Sequence, residues 1–336
     1  MIIQENISAI GEIGLDYYRD FQQKITQQES FEVQLKLASD HKMPVFLHNR
    51  EAFKDFYCIL KKYFSNEIEL KKIATTGDQK QDERLSEIGG KGLFSKQIEK
   101  DLLNKNIDIA VHAFKDMPTE ETENLLTNNF LKRNSPNEIL ISKNNIKFED
   151  LEPNSIIGTS SYRREYQLKK KRPNLKYKLI RGNVDTRVQK LEKGEYDAII
   201  LSKAGVDALN LQHKISQEFS VDELIPCAGQ GIIAIQCRED DNEIKKLLEN
   251  INDQETRTVA KAEREVLKVL EGDCDTAVGV FAKSNGKKVD LLTELFSVDG
   301  KNRYFIKKSL QKDNIESTSR MVGEELKLKS KGSYKN

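Results

Sequence analysis

The stretch Ser155-Ile156-Ile157-Gly158-Thr159-Ser160-Ser161-Tyr162-Arg163-Arg164 runs from a short apolar strand, through a turn of small hydroxyl residues, into a helix continuing to Lys171. The pattern then repeats. Tyr177 to Ile180 is strand-like, Arg181-Gly182-Asn183-Val184-Asp185-Thr186-Arg187 opens a helix over Val184–Glu192, Ala198–Leu201 is a strand, and a helix starts at Ala204. Short apolar strands alternating with helices are the grammar of a doubly wound α/β domain, whose ligands bind beyond the carboxyl ends of the strands. Both arginine-bearing turns therefore open onto one crevice.

Upstream, the alternation continues with strand-like Glu67 to Thr75, a helix over Leu93–Leu103 and a strand over Ile107–His112. Further back lies a separate β-α-β-α run: Ile7 to Ile13, the helix Gln28–Asp40 with Phe31, Leu35 and Ala38 at helical spacing, the strand Pro44–His48, and a helix Arg50–Tyr63. The polar Lys61-Lys62 to Ser65-Asn66 seam marks a junction. Downstream the character changes to α+β: a helix Glu255–Leu270, a strand Ala277–Ala282, and two strand-like runs flanking Asp299-Gly300, a strong hairpin signal. A helix over Ile315–Leu326 follows, and the polar tail from Lys329 is expected to fray.

The chain has 336 residues, enough for several cores. Its 55 basic and 54 acidic residues give a net charge of +1, so no global attraction to nucleic acid or anionic lipid is expected, and anion recognition must be local. No apolar run is long enough to cross a bilayer. The four cysteines, Cys58, Cys227, Cys237 and Cys274, are irregularly spaced with no C-x-x-C pair, so neither a zinc site nor a disulfide framework is indicated, which fits a reducing cytoplasm. Cys58, Cys227 and Cys237 sit in apolar or strand-like settings and read as buried. Cys274, between Asp273 and Asp275, reads as an accessible loop thiol.

Four clusters carry chemistry. In the first, Arg163 and Arg164 occupy the first helical turn, where they oppose the helix dipole unless an anion compensates. In the second, Arg181 and Arg187 flank a strand end, and guanidinium groups suit carboxylates. Two such turns together point to a polyanionic ligand. The third, Gly89-Gly90-Lys91-Gly92-Leu93-Phe94, lacks P-loop spacing and reads as a basic loop entering a helix. The fourth, His112-Ala113-Phe114-Lys115-Asp116-Met117-Pro118, places a carboxylate at a strand end, able to stabilise a developing cation.

These motifs together resemble the porphobilinogen deaminase (hydroxymethylbilane synthase) family. The matching stretches are Gly89–Phe94, Asp108–Pro118, Ile157–Arg164, Ile180–Arg187, Gly194–Gly205, Ala228–Gly231 and Glu271–Gly279, in family order. The resemblance implies two periplasmic-binding-protein-like α/β domains and a C-terminal α+β domain. It places domain 1 at 66–131 and 226–250, domain 2 at 133–225 and the cofactor-attachment domain at 253–336. It further implies a cytoplasmic, monomeric transferase, acting on the small molecule porphobilinogen with neither nucleic acid nor membrane as partner. Family enzymes join porphobilinogen head to tail, with loss of ammonia, on a dipyrromethane cofactor held by a thioether. Cys274 matches the attachment cysteine and Asp116 the catalytic carboxylate, which stabilises the azafulvene cation left when the amine departs. Lys91, Lys115, Ser161, Arg163, Arg164, Arg181 and Arg187 match the residues that hold the acetate and propionate groups, with Asn183 in the same turn. No metal is required.

The family's first strand and helix, with an R-I-G-T-R-x-S-x-L-A motif, have no counterpart here, and the later T-R-G-D turn appears as Thr75-Thr76-Gly77-Asp78. Residues 1–65 instead resemble a piece of the TatD-like metal-dependent deoxyribonucleases, a TIM-barrel fragment, in Ala9–Phe21 and Met43–Phe53. Glu12 and His48 hold two vestigial ligand positions of that family, too few for a catalytic metal. A pyrrole-binding but catalytically impaired fusion product is the alternative reading, and a nuclease a lesser one. The strand Ile7–Ile13 is expected to fill the vacated place in the following sheet.

Overall fold

A computed structural model describes residues 10–17, 22–43, 45–50, 52–63, 95–272 and 276–335 of a mixed α/β protein. The chain divides into two compact units, residues 1–72 and 73–336.

In the first unit, strands β1 (Ile10–Asp16) and β2 (Val45–Arg50) form a two-stranded parallel sheet with helices α1 (Lys24–Asp40) and α2 (Phe53–Tyr63). Ile13 and Leu15 of β1 pack with Phe31, Leu35, Phe56 and Leu60, and the Phe31 and Phe56 rings stack 4.8 Å apart. Among the described residues, β1 pairs with β2; residues 7–9 of the strand expected at Ile7–Ile13 lie outside the described residues. Its apolar residues are committed to its own helices. Cys58 is exposed because it faces away from the Phe56–Leu60 side of α2.

The second unit contains three sheets. Helix α3 (Lys96–Leu103) leads into β3 (Ile109–Ala113), and β4 (Leu125–Phe130) follows. The chain then departs and returns as β10 (Ile233–Arg238), which lies between β3 and β4 and is antiparallel to both. The alternation of strands and helices expected here thus comes, among the described strands, with antiparallel pairing. Helix α7 (Asn242–Glu249) follows β10.

The excursion builds a five-stranded sheet in the order β7-β6-β8-β5-β9. Its strands are β5 (Glu138–Ser142), β6 (Ile156–Gly158), β7 (Lys176–Lys178), β8 (Ala198–Ser202) and β9 (Gln217–Phe219). The β7-β6-β8 part is parallel, as the alternation predicts, while β5 and β9 add antiparallel pairs. Alternate residues of the central strands enter different cores. Ile139, Ile141, Ile199 and Leu201 meet Val188 and Leu191 of α5 (Val184–Glu192) and Val206 of α6 (Lys203–Asp207). Leu140, Ala198 and Ile200 meet Phe148, Leu151 and Leu168 of α4 (Tyr162–Lys171). Coverage on both faces explains why β5 is a continuous apolar run without alternation.

Helix α8 (Gln254–Leu270) and α9 (Ile315–Ser330) pack on an antiparallel sheet of β11 (Val278–Asn285), β12 (Lys288–Phe296) and β13 (Arg303–Gln311). The β11–β12 turn uses Asn285-Gly286, with Gly286 at φ +59°, and the β12–β13 turn contains Asp299-Gly300. The tail does not fray. Tyr334 is buried against the C-terminal core, Ser333 O accepts from Val298 N, and its hydroxyl bonds the Tyr304 hydroxyl. Truncating Tyr334 to alanine is expected to lower stability by about 3 kcal/mol, the usual cost of deleting a buried ring. Chemical denaturation of the two proteins measures it, and an unchanged midpoint would mean the tail contributes nothing.

Candidate active site

Among the described residues, the arginine turns meet the Asp116 loop at one place. Ser161 N-caps α4, its Oγ accepting from Arg164 N at 3.4 Å, and the same turn is tightened by Ser161 N donating to Thr159 Oγ1. The cap fixes the direction in which the two following arginines leave the helix.

Their partner lies inside the protein. Glu138, at the head of β5 and fully buried, accepts from Arg163 Nη2 at 2.6 Å and from Arg164 Nη2 at 2.7 Å. Arg163 also donates to Ile225 O and Arg164 to Ile200 O. The expectation that both arginines lie open in the crevice is therefore not met. They are only 4% and 7% exposed, and their charge is answered first by Glu138. Burial works against the Glu138 carboxylate, but Arg164 and Arg163 outweigh it and bring its pKa down to about 2. Arg164 Nε is left buried without a partner. An acidic residue at the head of an otherwise apolar strand was the signal that sequence inspection missed.

Arg181 and Arg187 differ. Arg187 is half-buried and donates Nε to Gly182 O at 2.7 Å, and neither arginine forms an ion pair among the described residues. Burial lowers the Arg187 pKa to about 10, and the charges of Arg164 and Arg181 push in the same direction. Asp116 acts against this, so the four side chains share one electrostatic neighbourhood. Asn183 is exposed and precedes α5 with no side-chain capping bond, which leaves its amide available.

Asp116 ends a short 3-10 turn, Phe114–Asp116, after β3. It is exposed, with Lys115 half-buried beside it, while Phe114 and Met117 anchor the turn in the core. Lys91 and Cys274 lie outside the described residues, as does the Glu12 side chain. His48 contacts Asp16 through Nε2 at 3.2 Å. No group of three His, Cys, Asp or Glu suited to a metal ion occurs among the described residues. Cys227 is half-buried, not fully buried, because it lies in the loop before β10; Cys237 on β10 is buried. Among the described residues, no helix is long and apolar enough to cross a membrane.

This arrangement can bind several carboxylates and set one carboxylate against a developing cation. Residues 52–246 match the family model described as porphobilinogen deaminase, dipyromethane cofactor binding domain, and residues 258–329 match its C-terminal domain. Residues 1–91 match TatD-related DNase. A porphobilinogen deaminase of Exiguobacterium sp. is 44% identical over 238 residues, 70% of this chain and 78% of that protein. One from Bacillus subtilis is 43% identical over 235 residues, 69% and 75% respectively. Among solved structures, an arginine-specific periplasmic binding protein of Salmonella typhimurium is 13% identical, covering 66% of this chain and 80% of that one with a TM-score of 0.30.

Replacing Glu138 by glutamine leaves two buried guanidinium groups without a counter-charge, which is expected to cost about 3–5 kcal/mol at neutral pH. Because its folded pKa lies below the ordinary 4.5, the Glu138 contribution is full above pH 4.5 and lost as pH falls toward 2. Urea denaturation across that window should show a steeper loss in the parent than in E138Q, and parallel curves would refute the coupling.

Proposed function

The chain belongs to the porphobilinogen deaminase family, and from that premise we propose that it condenses porphobilinogen head to tail into hydroxymethylbilane, releasing ammonia, as a step of tetrapyrrole and haem formation. The observation that carries the reading is Arg187, crowded by Arg164 and Arg181 and lowered by burial without an ion-paired carboxylate among the described residues. A site that assembles positive charge at such cost is suited to a ligand that brings negative charge.

A dipyrromethane cofactor, whose rings carry acetate and propionate groups, fits this charge and the unpartnered Arg164 Nε. It supplies the primer to which substrate is joined. Cys274 would hold it through a thioether. Arg181, Arg187, Asn183, Lys115, Ser161 and Lys91 would bind carboxylates. Arg163 and Arg164 would contribute through their Glu138-fixed positions, with Arg164 also able to offer its Nε. Asp116 would accept pyrrole N–H groups and stabilise the cation formed when the amine leaves. The domain division proposed is 66–131 with 226–250, then 133–225, then 253–336; the separate five-stranded sheet between β4 and β10 supports it. We place the protein in the cytoplasm, as a monomer.

A second reading, weak turnover, is favoured by one sequence feature: the family's R-I-G-T-R-x-S-x-L-A motif is absent and Thr75-Thr76-Gly77-Asp78 lacks its arginine. The leading unit is read as a remnant of a TatD-like barrel.

Two measurements test these roles. Cys274→Ser should abolish the mass increment of an attached dipyrromethane, because a hydroxyl is a far weaker nucleophile than a thiolate; an unchanged increment would move the attachment elsewhere. In steady-state assays, Asp116→Ala should lower turnover on the order of 10²–10³-fold, and adding the family's first strand and helix should raise that of the parent. A variant retaining more than half the parent rate refutes the role of Asp116, and no gain from the added segment refutes impairment.

A further inference from the structure

The Asp116 turn is gripped from behind by a residue with no assigned role. Arg264 of α8, only 8% exposed, donates Nη1 to Pro118 O at 2.8 Å and to Met117 O at 3.2 Å, and Nη2 to Phe114 O at 2.9 Å. Its guanidinium also lies 4.0 Å from the centre of the Phe114 ring. All of these contacts fall on the five residues that carry Lys115 and Asp116.

The neighbours of Arg264 on the helix are paired elsewhere. Glu263 binds Arg133, and Glu265 binds Arg320 and Lys268. Arg264 forms no ion pair among the described residues, and burial lowers its pKa to about 10. The charges of Glu121 and Glu263 offset that burial in part without pairing with the guanidinium, whose hydrogen bonds go to backbone carbonyls. A buried cation held this way is an expensive way to join a helix to a sheet. An apolar side chain would fill the space more cheaply. What a guanidinium adds is a rigid planar fork that fixes three carbonyl oxygens relative to one another. Otherwise the turn is held by Phe114 N donating to Ile232 O and Met117 N donating to Phe114 O. The Asp116 side chain is itself exposed, so its place relative to Arg164 and Arg187 is set by its backbone.

We propose that Arg264 is a positioning residue for Asp116, acting through the backbone of residues 114–118 without touching substrate. The inference rests on the reading that Asp116 carries the chemistry. The same helix ends at Leu270, four positions along the chain from Cys274, the proposed attachment thiol.

The test compares the full-length parent with R264M, R264K and Phe114→Leu. Small displacements of a catalytic group cost on the order of 10²-fold in rate. R264M is therefore expected to lower kcat about 10- to 100-fold while KM for porphobilinogen stays within about twofold, with R264K intermediate. In an Asp116→Ala background R264M should add no further loss. Independently of activity, amide hydrogen exchange at residues 115–118 should accelerate in R264M while that of α4 does not. Phe114→Leu, which removes the ring beneath the guanidinium but keeps the site apolar, should show the same pattern at smaller amplitude and serves if R264M does not fold. A loss confined to KM, full additivity with Asp116→Ala, or exchange that rises equally throughout the protein would overturn the proposal. An inactive parent would count against the proposed activity alone, and the exchange comparison would still decide the role of Arg264.

Discussion

Glu138 fixes more of this protein than its single carboxylate suggests. Two guanidinium groups from adjacent positions of α4 converge on it, one per oxygen. Each arginine continues to a backbone carbonyl, Arg163 to Ile225 O and Arg164 to Ile200 O. The head of β5, the start of α4, the middle of β8 and the segment leading back to β10 are thereby tied to one point. The Ser161 cap and the charge felt by Arg187 both depend on where that point lies. Buried ion pairs of this kind contribute little net stability compared with an apolar core, but leaving one unpaired is costly. Such a constraint selects one geometry for the site above the alternatives.

A second centre of the same kind lies on α8. Glu263 accepts from Gly229 N and Ala282 N at 2.7 Å each and from Arg133 Nη1 at 2.6 Å. Arg133 lies just beyond β4, where the chain departs, and Gly229 just before β10, where it returns. The two crossings between sheets are thus clasped by one carboxylate of the C-terminal helix, and Asn134 N donating to Gly231 O joins them directly. Arg264, one residue on, reaches the Asp116 turn. Consecutive side chains leave a helix about 100° apart, so one turn of α8 addresses the crossings, the Asp116 turn and, through Glu265, α9.

The leading unit follows a different logic. Its β1 and β2 pair in parallel and use Ile13, Leu15, Phe31 and Phe56 to cover each other with two helices. The leading unit thus has a core of its own.

Much of this was legible in the sequence. The strand–turn–helix units at 155–171 and 177–192, the Asp299-Gly300 hairpin and the motifs that place the chain in its family are local, and local chemistry writes them directly: hydroxyl caps, glycine turns, apolar periodicity. The alternating pattern also marked the β7-β6-β8 part as parallel. Strands β4, β5, β9 and β10 left no such trace, because their pairing is antiparallel and their partners lie far along the chain; β10 joins β3 across more than a hundred residues. The polar tail was misjudged for a related reason, since Tyr334 is covered by a core assembled from α8, α9 and the C-terminal sheet. The sequence by itself determined which residue types could bind a polyanion and stabilise a cation, for that is side-chain chemistry. Only the tertiary structure decided how the arginines divide: Arg163 and Arg164 pair with Glu138, while Arg181 and Arg187 form no ion pair among the described residues. A counter-ion is chosen by distance in space, and distance along the chain says nothing about it.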